Sequence, residues 1–154
     1  MSIRKIKTSD LDQVVQLIQP YVKDFVTNRE GEEKFSRNAI QKISETTDIK
    51  YFVKEQHQKI IGVIAYRQPA HLIHFFVDQL HQKQGVGREL WGFINQQVES
   101  NSNIDKWTVN SSCYAQPIYE KLGFTTQSDV IENHGIRFIQ MEKILNKQFE
   151  NNQA

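Results

Sequence analysis

The segment from His71 to Gly87, His-Leu-Ile-His-Phe-Phe-Val-Asp-Gln-Leu-His-Gln-Lys-Gln-Gly-Val-Gly, constrains the fold more than any other part of the chain. An apolar strand runs to Val77 and a short polar loop follows. Gly85 and Gly87 then open a helix whose apolar stripe is Val86, Leu90, Ile94 and Val98. A helix start leaves its first N–H groups without internal partners and carries partial positive charge. Glycines let an anion approach those donors. The segment predicts a strand–loop–helix unit built to hold a phosphate group.

The 154 residues suit one domain with one core. We expect that domain to span residues 1–145, followed by a polar tail over 146–154 with no packing pattern. A net charge of +1 gives no long-range pull toward nucleic acid or an anionic membrane. No apolar run approaches the length of a membrane span, and Met1 is followed by no signal-peptide core. The single cysteine, Cys113, excludes an intramolecular disulfide and a cysteine-clustered zinc site. The expectation is a cytoplasmic domain without a metal.

Ser2 to Lys7 alternates as a half-buried strand, and Thr8, Ser9 and Asp10 offer helix caps. Leu11, Val14, Val15, Ile18, Tyr21, Val22 and Phe25 share one helical face. Asn28 to Glu33 reads as a polar loop, and a weaker helix is expected around Phe35 to Ile43. Strands near Tyr51 to Lys54 and Ile60 to Tyr66 form a hairpin across Glu55 to Lys59. Pro69 marks a turn before the His71 to Val77 strand. Trp107 to Val109 is a short strand, and Ala115 to Leu122 a short helix stopped by Gly123. Phe124 onward and Ile136 to Met141 supply the last two strands. The order β-α-α-β-β-β-α-β-α-β-β predicts an α/β fold with a mixed sheet.

Two nucleotide fingerprints fail. No Gly-x-x-x-x-Gly-Lys-Ser/Thr occurs, and Leu90 stands where a dinucleotide fold needs its third glycine. What fits is Gln/Arg-x-x-Gly-x-Gly/Ala, written here as Gln82-Lys83-Gln84-Gly85-Val86-Gly87. Downstream, Val109-Asn110-Ser111-Ser112 closes a strand, and Ala115 to Phe124 reads Ala-x-x-x-Tyr-x-x-x-Gly-Phe. With both blocks in this order, the chain resembles the GCN5-related N-acetyltransferase (GNAT) superfamily of acetyl-CoA-dependent enzymes. The resemblance implies a central mixed sheet of about seven strands flanked by about four helices. Two neighbouring parallel strands would splay apart to form a wedge for acetyl-CoA.

The same resemblance implies site residues. The N–H groups from Gln84 to Arg88 would bind the pyrophosphate of coenzyme A, with Lys83 and Arg88 adding charge. The cofactor's peptide-like arm would pair with the strand at Phe75, Phe76 and Val77 and reach toward Asn110. An N–H there could stabilise an oxyanion on the thioester. A helix cap is the competing role for Asn110.

Tyr119 matches the family's tyrosine that protonates the departing thiolate, although a core tyrosine would have the same apolar neighbours. In the histone-acetylating branch a glutamate lies six residues before the position matching Val77, and here that position is His71. Imidazole titrates near neutrality and could accept the amine proton. A structural histidine, with water as the base, is the alternative. Strict alternation puts His71, Phe75 and Val77 on one face and His74 on the other.

Asp24, Asn28, Arg29, Glu30, Glu32, Glu33, Ser128 to Gly135 and Arg137 are the expected walls of an acceptor site. The expected function is transfer of an acetyl group from acetyl-CoA to a primary amine by direct attack, in a small molecule, peptide N-terminus or lysine. The alternative is a non-catalytic acyl-CoA-binding or regulatory module. Family habit adds a possible homodimer.

Overall fold

The computed structural model describes residues 2–145, so the tail expected from Asn146 lies outside the described residues. A first strand, β1 (Ser2–Lys5), leads through a 3-10 turn (Thr8–Asp10) into α1 (Leu11–Val22). Two short helices follow, α2 (Arg29–Glu33) and α3 (Arg37–Glu45). Three strands come next: β2 (Ile49–Gln56), β3 (Lys59–Arg67) and β4 (His71–Val77). Then α4 (Val86–Glu99), β5 (Lys106–Ser111) and α5 (Gln116–Lys121) precede β6 (Thr125–Thr126), β7 (Ile131–Asn133) and β8 (Ile136–Ile144).

The strands lie in the order β1-β2-β3-β4-β5-β8-β6, with β7 pairing to β8. The β4–β5 pair is parallel and the other pairs are antiparallel. This is the mixed α/β architecture expected from the element order. Apolar side chains fill both faces of the sheet. On one face, Val86, Leu90, Ile94 and Val98 of α4 pack with Leu72, Trp107 and Met141. On the other, Val14 and Ile18 of α1 and Ile40 of α3 pack with Val53 and Val63. Gly62 sets how closely α4 lies on the sheet, because a Cβ there would fall 2.7 Å from a Leu90 methyl and 2.9 Å from a Val86 methyl.

Several local expectations are corrected. Asn28 to Glu33 is not a loop: Asn28 caps α2, its side chain accepting from the Gly31 N–H at 3.1 Å. An all-polar helix this short carries no apolar period to read. Asp10 does not cap α1; its carboxylate accepts from the Lys7 N–H at 2.7 Å and takes the fork of Arg4 at 2.8 and 3.0 Å. The β2–β3 connection is a two-residue turn, with His57 and Gln58 at φ 51° and 64°, because Glu55, Gln56 and Lys59 extend the ladder.

The correction that matters most concerns β4. Its ladder to β3 runs Ala65 to His74 and then Tyr66 to Leu72, leaving Ile73 as an extra residue. That bulge reverses the alternation. Leu72, Phe75 and Val77 pack on the α4 face, whereas Ile73 and Phe76 pack on the α1 face. His71 stands opposite Leu72, beside Thr108 on the α1 face, and not with Phe75 and Val77.

Candidate active site

The sheet opens between β4 and β5. They pair only at His71–Thr108 and Leu72–Val109, reinforced by the Thr108 N–H donating to Ala70 O at 3.0 Å. Beyond those rungs the strands part. The Asp78 N–H donates to Ile61 O at 2.8 Å, so the ladder's alternation turns the Phe75 and Val77 N–H groups away from β3, toward the opening. The Val77 carbonyl accepts from the Tyr21 hydroxyl at 2.6 Å, and that hydroxyl in turn accepts from the Gln82 side-chain amide. Burial raises the Tyr21 phenol and the Gln82 bond opposes it, with a net rise that keeps it a donor.

The mouth of the opening is the start of α4. Gly85 sits at its N-cap with φ 86°, a left-handed conformation that favours glycine, and no side chain caps the helix. The first helical bond runs from Glu89 N–H to Gly85 O at 3.0 Å, which leaves the N–H groups of Val86, Gly87 and Arg88 ahead of it. A Cβ on Gly85 would meet nothing within 4 Å, whereas one on Gly87 would touch the Phe75 ring at 3.5 Å. Open space at Gly85 suits the approach of a phosphate. Lys54, 1% exposed, pairs with Glu89 and so fixes the first turn of α4 to β2.

A cleft of about 440 Å³ runs from this mouth along β4. Lys83, Arg88 and Lys121 line it, with Asp24 as its carboxylate and Tyr114 and Ile118 as apolar wall. A second cleft, of about 360 Å³, lies beyond the Phe76 side chain, among Phe25, Phe35, His71, Asn110, Arg137 and Phe138. Phe25, Phe75, Phe76, Ser112, Ala115 and Tyr119 belong to both. The two clefts meet at Tyr119.

Tyr119 is held there by the end of α5. The Phe124 N–H donates to Tyr119 O and the Gly123 N–H to Glu120 O, both at 3.0 Å, with Gly123 at φ 100°. That is a Schellman ending, so the Gly-Phe pair orients the tyrosine one turn before it. Its ring packs on Phe124 and Phe75, with centroids 5.4 and 6.2 Å away. Burial pushes the phenol above its ordinary range, and its hydroxyl has no hydrogen-bond partner among the described residues.

His71 is half-buried, with Nδ1 2.7 Å from Thr108 Oγ1. Burial lowers its pKa, with a smaller push from the Arg67 charge, so the imidazole is neutral near pH 7. His74, 4% exposed, shares a 2.8 Å hydrogen bond with the Tyr51 hydroxyl, and burial pushes it down to about 4. It is a core histidine.

Phe75, Phe76, Val77, Gln82, Lys83, Gly85, Val86, Gly87 and Arg88 all line the first cleft. Gln84 is exposed outside that lining, and Asn110 lies in the second cleft with His71. The acidic residues near α2 are not brought together: Asp24 faces the first cleft, Glu30 contacts His134 at 3.3 Å, and Glu32 and Glu33 are exposed. The segment before α2 is clasped to the β7–β8 turn. The Thr27 N–H donates to Gly135 O at 2.8 Å and the Arg137 N–H to Phe25 O at 2.7 Å. Tyr21, Tyr114, Lys121 and Lys34 line the clefts without having been singled out from the sequence. Only the cationic character of Lys121, two residues past the tyrosine, was a local signal.

A family model for the acetyltransferase (GNAT) domain matches residues 22–145. Among solved structures, a PaiA N-acetyltransferase from Thermoplasma acidophilum in complex with coenzyme A is 19% identical. It covers 94% of this chain and 98% of its own, with a TM-score of 0.72. An aminoglycoside 6′-N-acetyltransferase complexed with coenzyme A is 13% identical over 94% and 97% of the two chains, with a TM-score of 0.69. A mutant spermidine N-acetyltransferase from Vibrio cholerae is 15% identical over 99% of both, with a TM-score of 0.68. At these identities the likeness is one of fold. A search of curated proteins found no significant match. The overall fold is shared with these structures, and with the family model spanning most of its length the chain belongs to the GNAT family of acetyltransferases.

Proposed function

We propose that the protein transfers an acetyl group from acetyl-CoA to a primary amine, the two substrates meeting at Tyr119. The observation that carries this reading is the junction of the clefts, where Phe75, Phe76, Ala115 and Tyr119 serve as walls of both. In the first cleft, the N–H groups of Val86, Gly87 and Arg88 bind pyrophosphate oxygens, and Lys83, Arg88 and Lys121 add charge. The free N–H groups of Phe75 and Val77 bind the cofactor's amide arm as an added strand would. Gln82 acts indirectly, holding Tyr21 and through it the Val77 carbonyl.

Acetyl-CoA supplies an activated thioester carbonyl. A neutral amine in the second cleft attacks that carbon, the carbon–sulfur bond breaks, and the amine nitrogen loses one proton. His71, kept neutral by burial, accepts that proton directly or through water. Tyr119 donates to the departing sulfur. Its phenol, raised by burial, is a weaker acid than a free thiol, so its main contribution is a hydrogen bond to the charge gathering on sulfur.

The test is thiol release from acetyl-CoA over a panel of primary amines, with the mass of the product as a second readout. Release that depends on the amine, together with a product one acetyl group heavier, supports the reading. Tight acetyl-CoA binding without turnover of any amine favours a non-catalytic acyl-CoA-binding module.

A further inference from the structure

The second cleft has a charge pattern that restricts the acceptor. Lys34 and Arg137 line it, and among the described residues no aspartate or glutamate does. Lys34, at the C-terminal end of α2, is half-buried and has no ion-pair partner among the described residues. Among the described residues the Arg137 side chain pairs with Glu132, at 3.4 Å, with both side chains about half exposed, a contact that contributes little. Five phenylalanines, Phe25, Phe35, Phe75, Phe76 and Phe138, make much of the apolar wall, and His71, His134, Asn110 and Asn133 are among the polar lining.

Such a cleft is poor at holding a polycation. An extra ammonium would share the cleft with Lys34 and Arg137, and the acids that touch its lining, Glu132 on Arg137 and Glu30 on His134, are about half exposed, outside the lining and screened by water. The aromatic faces could attract a cation, but the reacting amine must be neutral to attack, and two fixed positive charges oppose any other ammonium. A half-buried, unpaired lysine that shares a cleft with an arginine is instead an arrangement that an incoming oxyanion would complete.

We infer that the acceptor is a primary amine joined through an apolar or aromatic spacer to an anionic oxyacid group, a carboxylate or a phosphate, bound by Lys34 and Arg137. The amine end rests on the acetyl-transfer reading; the anion subsite does not. Calorimetric titration of the coenzyme A-loaded protein tests it. The probes are 4-(aminomethyl)benzoate, its carboxamide 4-(aminomethyl)benzamide, O-phosphoethanolamine beside ethanolamine, and spermidine. At least one acid is expected to bind about tenfold or more tighter than its uncharged partner. The carboxylate and phosphate arms tell which oxyacid is preferred. Arg137→Gln and Lys34→Met, the latter keeping an apolar stem in place, should each reduce that preference severalfold.

Equal affinity of each acid and its partner, weak binding by all included, overturns the proposal. So does a preference that survives both substitutions, or spermidine binding as tightly as the better acid. The readout needs no turnover. A protein that prefers the acid yet releases no thiol keeps the subsite and loses the catalytic reading. One that acetylates spermidine and the benzamide as well as the acids keeps the catalytic reading and loses the subsite.

Discussion

His71 and Thr108 face each other across the first rung joining β4 to β5, Nδ1 2.7 Å from Oγ1, just before the strands part. The threonine hydroxyl occupies one ring nitrogen and so orients the other. With its pKa lowered chiefly by burial, His71 should give an acid limb in the pH–rate profile below the ordinary histidine value of about 6.5. His71→Gln should remove that limb and reduce kcat about tenfold to a hundredfold. Acetyl-CoA affinity should hold, since His71 lies outside the first cleft. A profile measured on both proteins decides it; an unchanged limb in the variant assigns the base elsewhere.

Tyr119 should behave differently. Because burial raises its phenol, the group stays protonated over the working range and contributes no limb below pH ~10. Tyr119→Phe keeps the ring contacts with Phe75 and Phe124 and removes only the hydroxyl. Turnover should fall about a hundredfold, with little change in acetyl-CoA affinity or melting temperature. A variant with wild-type kcat would leave Tyr119 as a wall between the clefts and nothing more.

These residues were legible to different degrees, and for physical reasons. Gly85, Gly87, Gly123 and Tyr119 belong to local devices: a helix start, a helix stop, and a side chain four positions before the stop. Such devices are decided within a few residues, and the sequence states them. The face of His71 is not legible in the sequence because one unpaired residue, Ile73, inverts every side chain before it, and the slip is set by the partner strand. The bond from Tyr21 to the Val77 carbonyl spans 56 positions and follows from how α1 lies on the sheet. The lack of acid in the lining of the second cleft is likewise a tertiary fact: Glu30 stays outside it, against the lining residue His134, and Glu32 and Glu33 are exposed.

The buried His74 predicts how stability responds to acid. In the folded protein it titrates at about 4, against about 6.5 for an unfolded histidine. Between those values the unfolded chain takes up a proton that the folded chain does not. Stability therefore falls as pH drops through this window, by on the order of 3 kcal/mol from this group. His71, shifted in the same direction, adds to the fall. Urea unfolding of wild type and His74→Gln at several pH values between ~6.5 and ~4 should show a shallower slope in the variant. Parallel slopes would mean that the Tyr51–His74 pair opens or takes the proton without loss.

Gly31 and Gly135 bring α2 close against the β7–β8 turn, and residues next to them, Lys34, Phe35, His134 and Ile136, line the second cleft. A Cβ on Gly31 would fall 2.0 Å from Gly135 O and 2.8 Å from its carbonyl carbon. Both are backbone atoms, so no rotamer change relieves the contact. Gly31→Ala should push α2 away from the β7–β8 turn, weakening the Thr27 to Gly135 bond and costing about 1–3 kcal/mol of stability. Lys34 and Phe35 follow α2 and line the second cleft only, so the acceptor KM should rise severalfold while calorimetric acetyl-CoA affinity holds. Gly92 is the control: it lies in α4, where an added Cβ would meet nothing within 4 Å, and Gly92→Ala should raise stability by about 0.5–1 kcal/mol. If both alanines shift the melting temperature alike and leave the acceptor KM untouched, the glycine contact does not shape the acceptor cleft.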